Sequence, residues 1–547
     1  MKKILNDHIK YYNDFGHFVQ CIHDDYGERN AVEWYDRKAN LYTRSYRHLT
    51  EDIYKLVHWL DNKGLNGKNL AIIGENSYQW LLVYMAAAVS GGTAVCVDME
   101  QPVAVIQQML EMSDIKAVFA SSSCLPLVEE QQSNGTPCFL LGNGKDGLTG
   151  IDEVLEGIDS AKIDPDPAKV LNGNSTAAIV FTSGTTGVSK PVMLSHRALL
   201  VNGCECNVYV DGGMRAFSAL PLCHTYGMTC AVLATWARGA SLILNGNLKT
   251  VMRDLQAANA FSILTVPLMV EAIHNQMWLQ ARQSGKESIL KKIFLMERLK
   301  RKVGMKSTGK ALTELRKKVL GELSVIICGG AHMDKDISEE FELMGLIMLQ
   351  GYGITECGPL VAVNGNQARK LDSVGMVLPS CQIKLEDEEI LVRGKNLMNG
   401  YYRMPEETAE VMEGEWFKTG DIGMVDKDGF LYIVGRKKNI IVFKNGKKIS
   451  PERLEQEIKK NSLVKNVMVY GAASGVSADD VKLAASIFPD EEATKDMSSY
   501  EILKEVQRHI DSINDTLPLY QQIQMVNLRE EDFEKTAMMK IKRHLVK

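Results

Sequence analysis

The chain has 547 residues, 45% of them hydrophobic and 24% charged, with a formal net charge of −5. That length and balance describe an ordinary globular protein of more than one domain, and they exclude disordered and collagen-like chains. The mild acidity gives no reason to expect a nucleic-acid partner, because neutralising a nucleic-acid backbone needs a concentrated basic surface.

The opening stretch MKKILNDHIKYYNDFGHF carries two lysines with no unbroken apolar run behind them, so neither a secretory signal nor a transit peptide is expected. Eleven cysteines are scattered from Cys21 to Cys381 without a CxxC pair, which fits a reduced, cytoplasmic setting. Cys204 and Cys206 are the closest pair, but no further ligands stand nearby to make a metal site. From Asn69 to Phe119, short apolar runs (NLAIIG, TAVCVD, KAVFA) alternate with helical segments, which predicts crossover units on a largely parallel sheet. LLVYMAAAVSGG, within this stretch, is too short to cross a bilayer and leaves contact with a membrane surface open.

After the turn-rich IDPDPAKVLNGNST, a strand is predicted over Thr176 to Phe181, and SLILNG, FSILTVP and LSVIICGG predict further strands between helices. Two α/β lobes in one large N-terminal unit account for this pattern. Leu290 to Leu320 sets many Lys and Arg among leucines and methionines, a solvated amphipathic excursion or a basic surface facing an acidic cofactor or lipid headgroups. Beyond Gly375 the texture predicts a small, compact antiparallel region. In the C-terminal part, PERLEQEIKK predicts a helix with Pro451 near its start, NVMVYGA and KLAASIFP predict strands, and SYEILKEVQRHIDSIN predicts a helix. The expected division is residues 1–435 and a small α+β domain over 436–547.

The run FTSGTTGVSK, Phe181 to Lys190, carries hydroxyls at Thr182, Ser183, Thr185, Thr186 and Ser189, glycines at Gly184 and Gly187, and the Lys190 ammonium. Glycines let backbone amides converge on an anion, hydroxyls add donors, and the lysine adds a mobile charge, so the run reads as a phosphate cradle. It lacks the Gly-Lys-Ser/Thr ending of a P-loop. Ser195 and His196 are sequence neighbours, and no hydrolase triad is read from them.

Further blocks follow in order: PLCHTYG (Pro221–Gly227), CGGAHM (Cys328–Met333), GYGITECGP (Gly351–Pro359), KTGDIG (Lys418–Gly423), GRKKNIIVFKNGKKISPERLE (Gly435–Glu455) and EKTAMMKIKR (Glu534–Arg543). Together with the phosphate run they resemble the adenylate-forming (AMP-binding) superfamily, over about residues 20 to 547, and most of all its long-chain fatty acyl-CoA synthetases. The resemblance implies an α/β fold with a large multi-lobed N-terminal domain and a small, mobile C-terminal domain hinged near Lys438. It implies ATP, Mg²⁺ and CoA as cosubstrates and a carboxylic acid, of medium or long chain, converted to acyl-AMP and then to acyl-CoA.

Residue by residue, the resemblance makes Tyr352 the ring that stacks on adenine, with Gly329, Gly330, Ala331 and Gly353 lining the base or the acyl pocket. Thr355 would donate to the α-phosphate and Glu356 would hold magnesium. Asp421 would accept the ribose hydroxyls with Arg436 beside the same sugar, and Lys190 would follow the outer phosphates. Lys540 would perform the chemical step by offsetting the repulsion between carboxylate and phosphate. The family usually has glycine before that lysine, and here Met539 stands there. His224 marks the boundary of nucleotide site and acyl pocket, and Gly446 lines the thiol channel. Asn439 stands where related long-chain enzymes often have Asp. CHTYGMTC has no acidic residue to hold an amine, which argues against an amino-acid substrate. An acyl-AMP ligase serving an acyl carrier protein, an aryl-CoA ligase and a non-catalytic nucleotide-binding scaffold remain as alternatives.

Overall fold

The computed structural model describes residues 9–159, 171–182, 189–305, 309–443, 447–473, 481–535 and 541–545. Its first sheet is built from the predicted crossover units. Asn69–Ile73 lies between Thr93–Val97 and Ala117–Ala120, all parallel, and Thr176–Phe181 adds to the outer side of Thr93–Val97. Past their first residues these strands are apolar and largely buried, as strands covered on both faces are. Tyr78–Val89, the apolar run of the sequence, is one such helix, with Ser77 accepting from the Trp80 amide as its N-cap and every residue but Gln79 buried. Pro191–Ser195 then returns antiparallel to Thr176–Phe181, and Gly400–Tyr401, arriving from far along the chain, closes that edge.

A second sheet carries fourteen strands among the described residues. One half is parallel: Ser241–Leu244, Arg215–Ser218, Ser262–Thr265, Val325–Cys328 and Ile347–Gly353 lie side by side in that order. The antiparallel region expected beyond Gly375 does not stand apart from it. Ile347–Gly353 has seven residues, of which Ile347–Gln350 pair parallel with Val325–Cys328 while Gly351–Gly353 pair antiparallel with Leu360–Val363. One strand therefore joins both halves, and Leu360–Val363, Gly375–Val377, Phe430–Arg436 and Trp416–Val425 continue the sheet outward.

Leu290–Leu320 resolves into two helices, Glu287–Lys302 and Lys310–Leu320. They are amphipathic as expected, with Leu290, Phe294, Leu312 and Leu320 turned into the core. The C-terminal elements match their predictions: Pro451–Lys459 is a helix with proline in its first turn, Val464–Ala473 and Val481–Pro489 pair antiparallel, and Ser499–Asn514 is a helix opened by a Ser498/Glu501 capping box. They share a separate core that includes Leu454, Ile458, Val469, Ile487, Val506 and Ile510. None of the eleven cysteines is disulfide-bonded, and among the described residues no helix is long and apolar enough to cross a membrane.

The start of the first helix, Phe15–Tyr26, meets His196, the first residue of the helix His196–Tyr209. Its imidazole, 1% exposed, packs edge-on against Phe15 and accepts at Nδ1 from the Phe15 amide. Burial pushes the imidazole down from 6.5 to about 4, with Asp14 opposing in part. A depressed base binds its proton more readily in the unfolded chain, so the stability it contributes is present above pH 6.5 and drains away as pH falls toward 4. Between ~pH 7 and ~pH 5 the wild-type chain is expected to lose about 2 kcal/mol more stability than His196→Gln, measured by urea unfolding at each pH.

Candidate active site

Thr176–Phe181 and Pro191–Ser195 are the legs of a hairpin, and the Thr182 amide donates to the Lys190 carbonyl at 3.1 Å, closing its neck. The segment between is the glycine- and hydroxyl-rich run. Its residues Ser183, Gly184, Thr185, Thr186 and Gly187 lie outside the described residues, while Thr182 and Lys190 are its feet. Because Gly400–Tyr401 pairs with Val192 and Met193, Tyr401 comes beneath Lys190, whose Nζ stands 4.9 Å from the ring centroid. The Tyr401 hydroxyl donates to Glu356 Oε1 at 2.8 Å.

Glu356 sits on the short turn Thr355–Cys357 that follows Ile347–Gly353. Its main chain is pinned: the Met398 amide donates to the Glu356 carbonyl at 2.8 Å, and Asn396 Nδ2 to the Cys357 carbonyl at 2.7 Å. The carboxylate is buried, and Oε2 has no hydrogen-bond partner among the described residues. Burial raises this carboxyl above the usual glutamate range, opposed by backbone hydrogen bonding, by the Tyr401 phenol and by the charges of Arg436 and Lys190. A buried carboxylate oxygen left without a donor costs free energy unless something fills it. Magnesium fits: it needs only one or two carboxylates when phosphate oxygens and water complete its shell. Among the described residues no cluster of three or more His, Cys, Asp or Glu offers an all-protein alternative.

The second buried carboxylate is Asp421, on Trp416–Val425, directly opposite Arg436 in the ladder. Arg436 Nε donates to Oδ1 at 2.7 Å and the Tyr352 hydroxyl to Oδ2 at 2.6 Å. Burial and the adjacent Asp421 charge push the Tyr352 phenol well above its ordinary range, so it stays a donor. The Asp421 amide is held in turn by Thr419 Oγ1 at 3.0 Å.

Several of the remaining predicted residues gather along one edge. Arg215–Ser218, Ser262–Thr265, Val325–Cys328 and Ile347–Gly353 are parallel neighbours, and His224, the Gly329–Gly330–Ala331 turn and the Gly353–Glu356 segment all follow their C-terminal ends, where open α/β sheets bind ligands. Gly330 and Ala331 are exposed, and Gly330 has φ +86°. Gly353 is required sterically, since a Cβ there would lie 2.3 Å from the Pro359 carbonyl oxygen. Lys438 is exposed on the turn Lys437–Asn439 just past Arg436. Asn439 Nδ2 donates to Glu452 Oε1 at 2.7 Å, a place where aspartate would meet like charge. Lys540, Met539 and Gly446 lie outside the described residues.

Two residues of the site escaped the sequence reading. Tyr401 looks like any strand aromatic after a glycine; only the return of a distant strand to the phosphate hairpin shows its contacts. Tyr226 backs the Gly329 turn, where a Cβ would lie 3.2 Å from its ring, and its hydroxyl donates to the Thr265 and Ile327 carbonyls. Its position inside PLCHTYG was the available signal.

Comparison with known proteins gives the family and the fold. A family described as AMP-binding enzyme matches residues 24–402, and AMP-binding enzyme C-terminal domain matches residues 438–547. The long-chain-fatty-acid–CoA ligase FadD15 of Mycobacterium bovis is 26% identical, over 74% of this chain and 71% of its own. Long chain acyl-CoA synthetase 1 of Arabidopsis thaliana is 26% identical over 82% of this chain and 75% of its own. The anthranilate CoA ligase AuaEII, solved with anthranoyl-AMP, superposes with a TM-score of 0.78 at 18% identity, covering 99% of this chain and 98% of its own. O-succinylbenzoate CoA synthetase of Bacillus subtilis, solved with ATP and magnesium ion, gives 0.73 at 20%, covering 97% and 98%. At such identities these superpositions show the shared fold.

Removing the Tyr401 hydroxyl leaves Glu356 buried with neither oxygen hydrogen-bonded by a side chain among the described residues. Tyr401→Phe is therefore expected to cost about 1–3 kcal/mol of stability in the absence of ligand, read as a lowered unfolding midpoint.

Proposed function

The chain belongs to the AMP-binding, adenylate-forming family of acid–CoA ligases, and from that premise we propose that it activates a medium- or long-chain fatty acid with ATP, releases pyrophosphate, and passes the acyl group to CoA. The observation that carries the reading is the pair of buried carboxylates. Asp421 is clamped by the Arg436 and Tyr352 donors, and Glu356 is turned so that Oε2 has no hydrogen-bond partner among the described residues, each beside a cationic side chain.

In this reading Asp421 receives the ribose hydroxyls, and Tyr352, whose hydroxyl fixes that carboxylate, lends its ring to the base beside Gly329, Gly330 and Ala331. Thr182 and the hydroxyl-rich run cradle the outer phosphates, and Lys190 leaves the Tyr401 ring to follow them. Thr355 donates to the α-phosphate. Glu356 would hold magnesium, which when bound would neutralise phosphate charge. Lys540 spans the attacking carboxylate and the α-phosphate, where negative charge gathers in the transition state. His224 borders the acyl pocket.

A lysine needed for adenylation would stand where the pantetheine arm must enter, so the C-terminal domain, residues 436–547, turns about Lys438 between the two half-reactions and presents the Gly446 loop to the thiol. The fatty acyl choice rests on similarity to long-chain ligases and on the absence of an acidic residue in CHTYGMTC.

Acid-dependent exchange of pyrophosphate into ATP, run across aliphatic and aromatic acids, is expected to be supported best by medium- or long-chain fatty acids, with thioester formed on adding CoA. Exchange restricted to aryl acids would overturn the acyl choice, thioester formed only on a carrier protein would overturn the acceptor, and no exchange would overturn the enzyme. Lys540→Ala is expected to slow exchange by roughly 100-fold or more while leaving preformed acyl-AMP convertible to acyl-CoA. Equal loss of both half-reactions would contradict the two-state account.

A further inference from the structure

The helix Glu287–Lys302 has two opposed faces. Leu290, Phe294 and Glu297 point inward, with Phe294 packed on Trp278 at 5.7 Å between ring centroids. Outward stand Ile289, Leu295, Met296, Leu299 and, at the cap, Val303, each between 54% and 76% exposed. At 100° per residue these five fall within an arc of about 120°, opposite the buried one. Scattered exposed leucines need no explanation, but a stripe of five on one helix face does.

The charges around the stripe say what would cover it. Between residues 287 and 305 six Lys and Arg stand against two Glu, in a chain whose net charge is −5. Arg298 and Arg301 are turned toward Glu339, Glu340 and Glu342 of the neighbouring helix, and Lys300 toward Glu297. Lys292, within the stripe, and Lys302, at its border, are exposed and enter no ion pair among the described residues. The next helix, Lys310–Leu320, adds Lys310, Arg316, Lys317 and Lys318 against Glu314. A second copy of the chain docking by this face would set lysine against lysine across a twofold axis.

We infer that this face is a docking surface for an anionic lipid bilayer, with Leu295, Met296, Leu299 and Val303 entering the headgroup boundary and Lys292 and Lys302 meeting lipid phosphates. An amphipathic helix with an apolar stripe and basic flanks binds in this way, by apolar burial plus attraction to anionic headgroups. The inference does not depend on which acid is activated, since it concerns the protein without substrate.

The test is co-sedimentation of the full chain with phosphatidylcholine vesicles, with or without ~30% phosphatidylglycerol, at low and at ~0.5 M salt. Binding is expected only to the anionic vesicles, and it should weaken at high salt. Leu295→Glu with Leu299→Glu should lower the partition coefficient by roughly tenfold or more, and Lys292→Gln with Lys302→Gln should lower it by roughly 30-fold at low salt, about what removing two surface charges predicts. Unchanged thermal unfolding midpoints show that both variants are folded, and the lysine pair, lying on the surface, carries the test if the leucine pair does not fold. No binding to anionic vesicles, or equal binding by wild type and the folded variants, would overturn the inference. So would capture by polyglutamate that persists in the leucine variant, which would assign the surface to an acidic protein instead.

Discussion

The strand Ile347–Gly353 has to satisfy two incompatible neighbours, a parallel one along its first half and an antiparallel one along its last three residues. That constraint organises the site. It forces the chain to turn sharply after Gly353, where any side chain would strike the Pro359 carbonyl, and the turn delivers Glu356 to the first sheet while Tyr352 reaches Asp421. One strand thereby leads into the turn that carries Glu356 and supplies the tyrosine that donates to Asp421, and the parallel edge it closes is the one that carries His224 and the Gly329–Ala331 turn.

The two carboxylates are held differently because their surroundings differ. Asp421 accepts from a protein donor on each oxygen, and Arg436, which supplies one of them, is the last residue of its strand before the chain leaves for the C-terminal elements. A ligand that competes for Asp421 therefore acts on the residue next to the proposed hinge. Glu356 is half-satisfied, and its burial is tolerable because Tyr401 donates to one oxygen while Lys190 and Arg436 supply positive potential. Holding a charge-accepting group in place before the ligand arrives is the usual way that a site avoids reorganisation during reaction.

Much of this arrangement was legible in the sequence. Periodicity sufficed for the crossover strands, for Thr176–Phe181 and for the C-terminal helices, because each is short, apolar and bounded by turn residues, and the ordered motifs named Asp421, Glu356 and Lys190. Pairing between distant segments was not legible. Nothing local in Gly400–Tyr401 says that it returns to Pro191–Ser195, so Tyr401 was missed, and nothing in the texture after Gly375 says that its strands extend the parallel sheet. The outward stripe of Glu287–Lys302 shares its spacing with a buried one, and only packing shows which face was left to solvent.

The central claim is that Asp421, held between Tyr352 and Arg436, is the seat of the nucleotide's ribose. Titration of ATP and of 2′,3′-dideoxy-ATP into wild-type and Asp421→Asn protein, followed by calorimetry, tests it most directly. The account predicts that ATP affinity falls by roughly 10- to 100-fold in the variant, and that the dideoxy nucleotide binds both proteins equally weakly. Equal ATP affinity in the two folded proteins, or a dideoxy nucleotide that binds wild type as tightly as ATP, would contradict it.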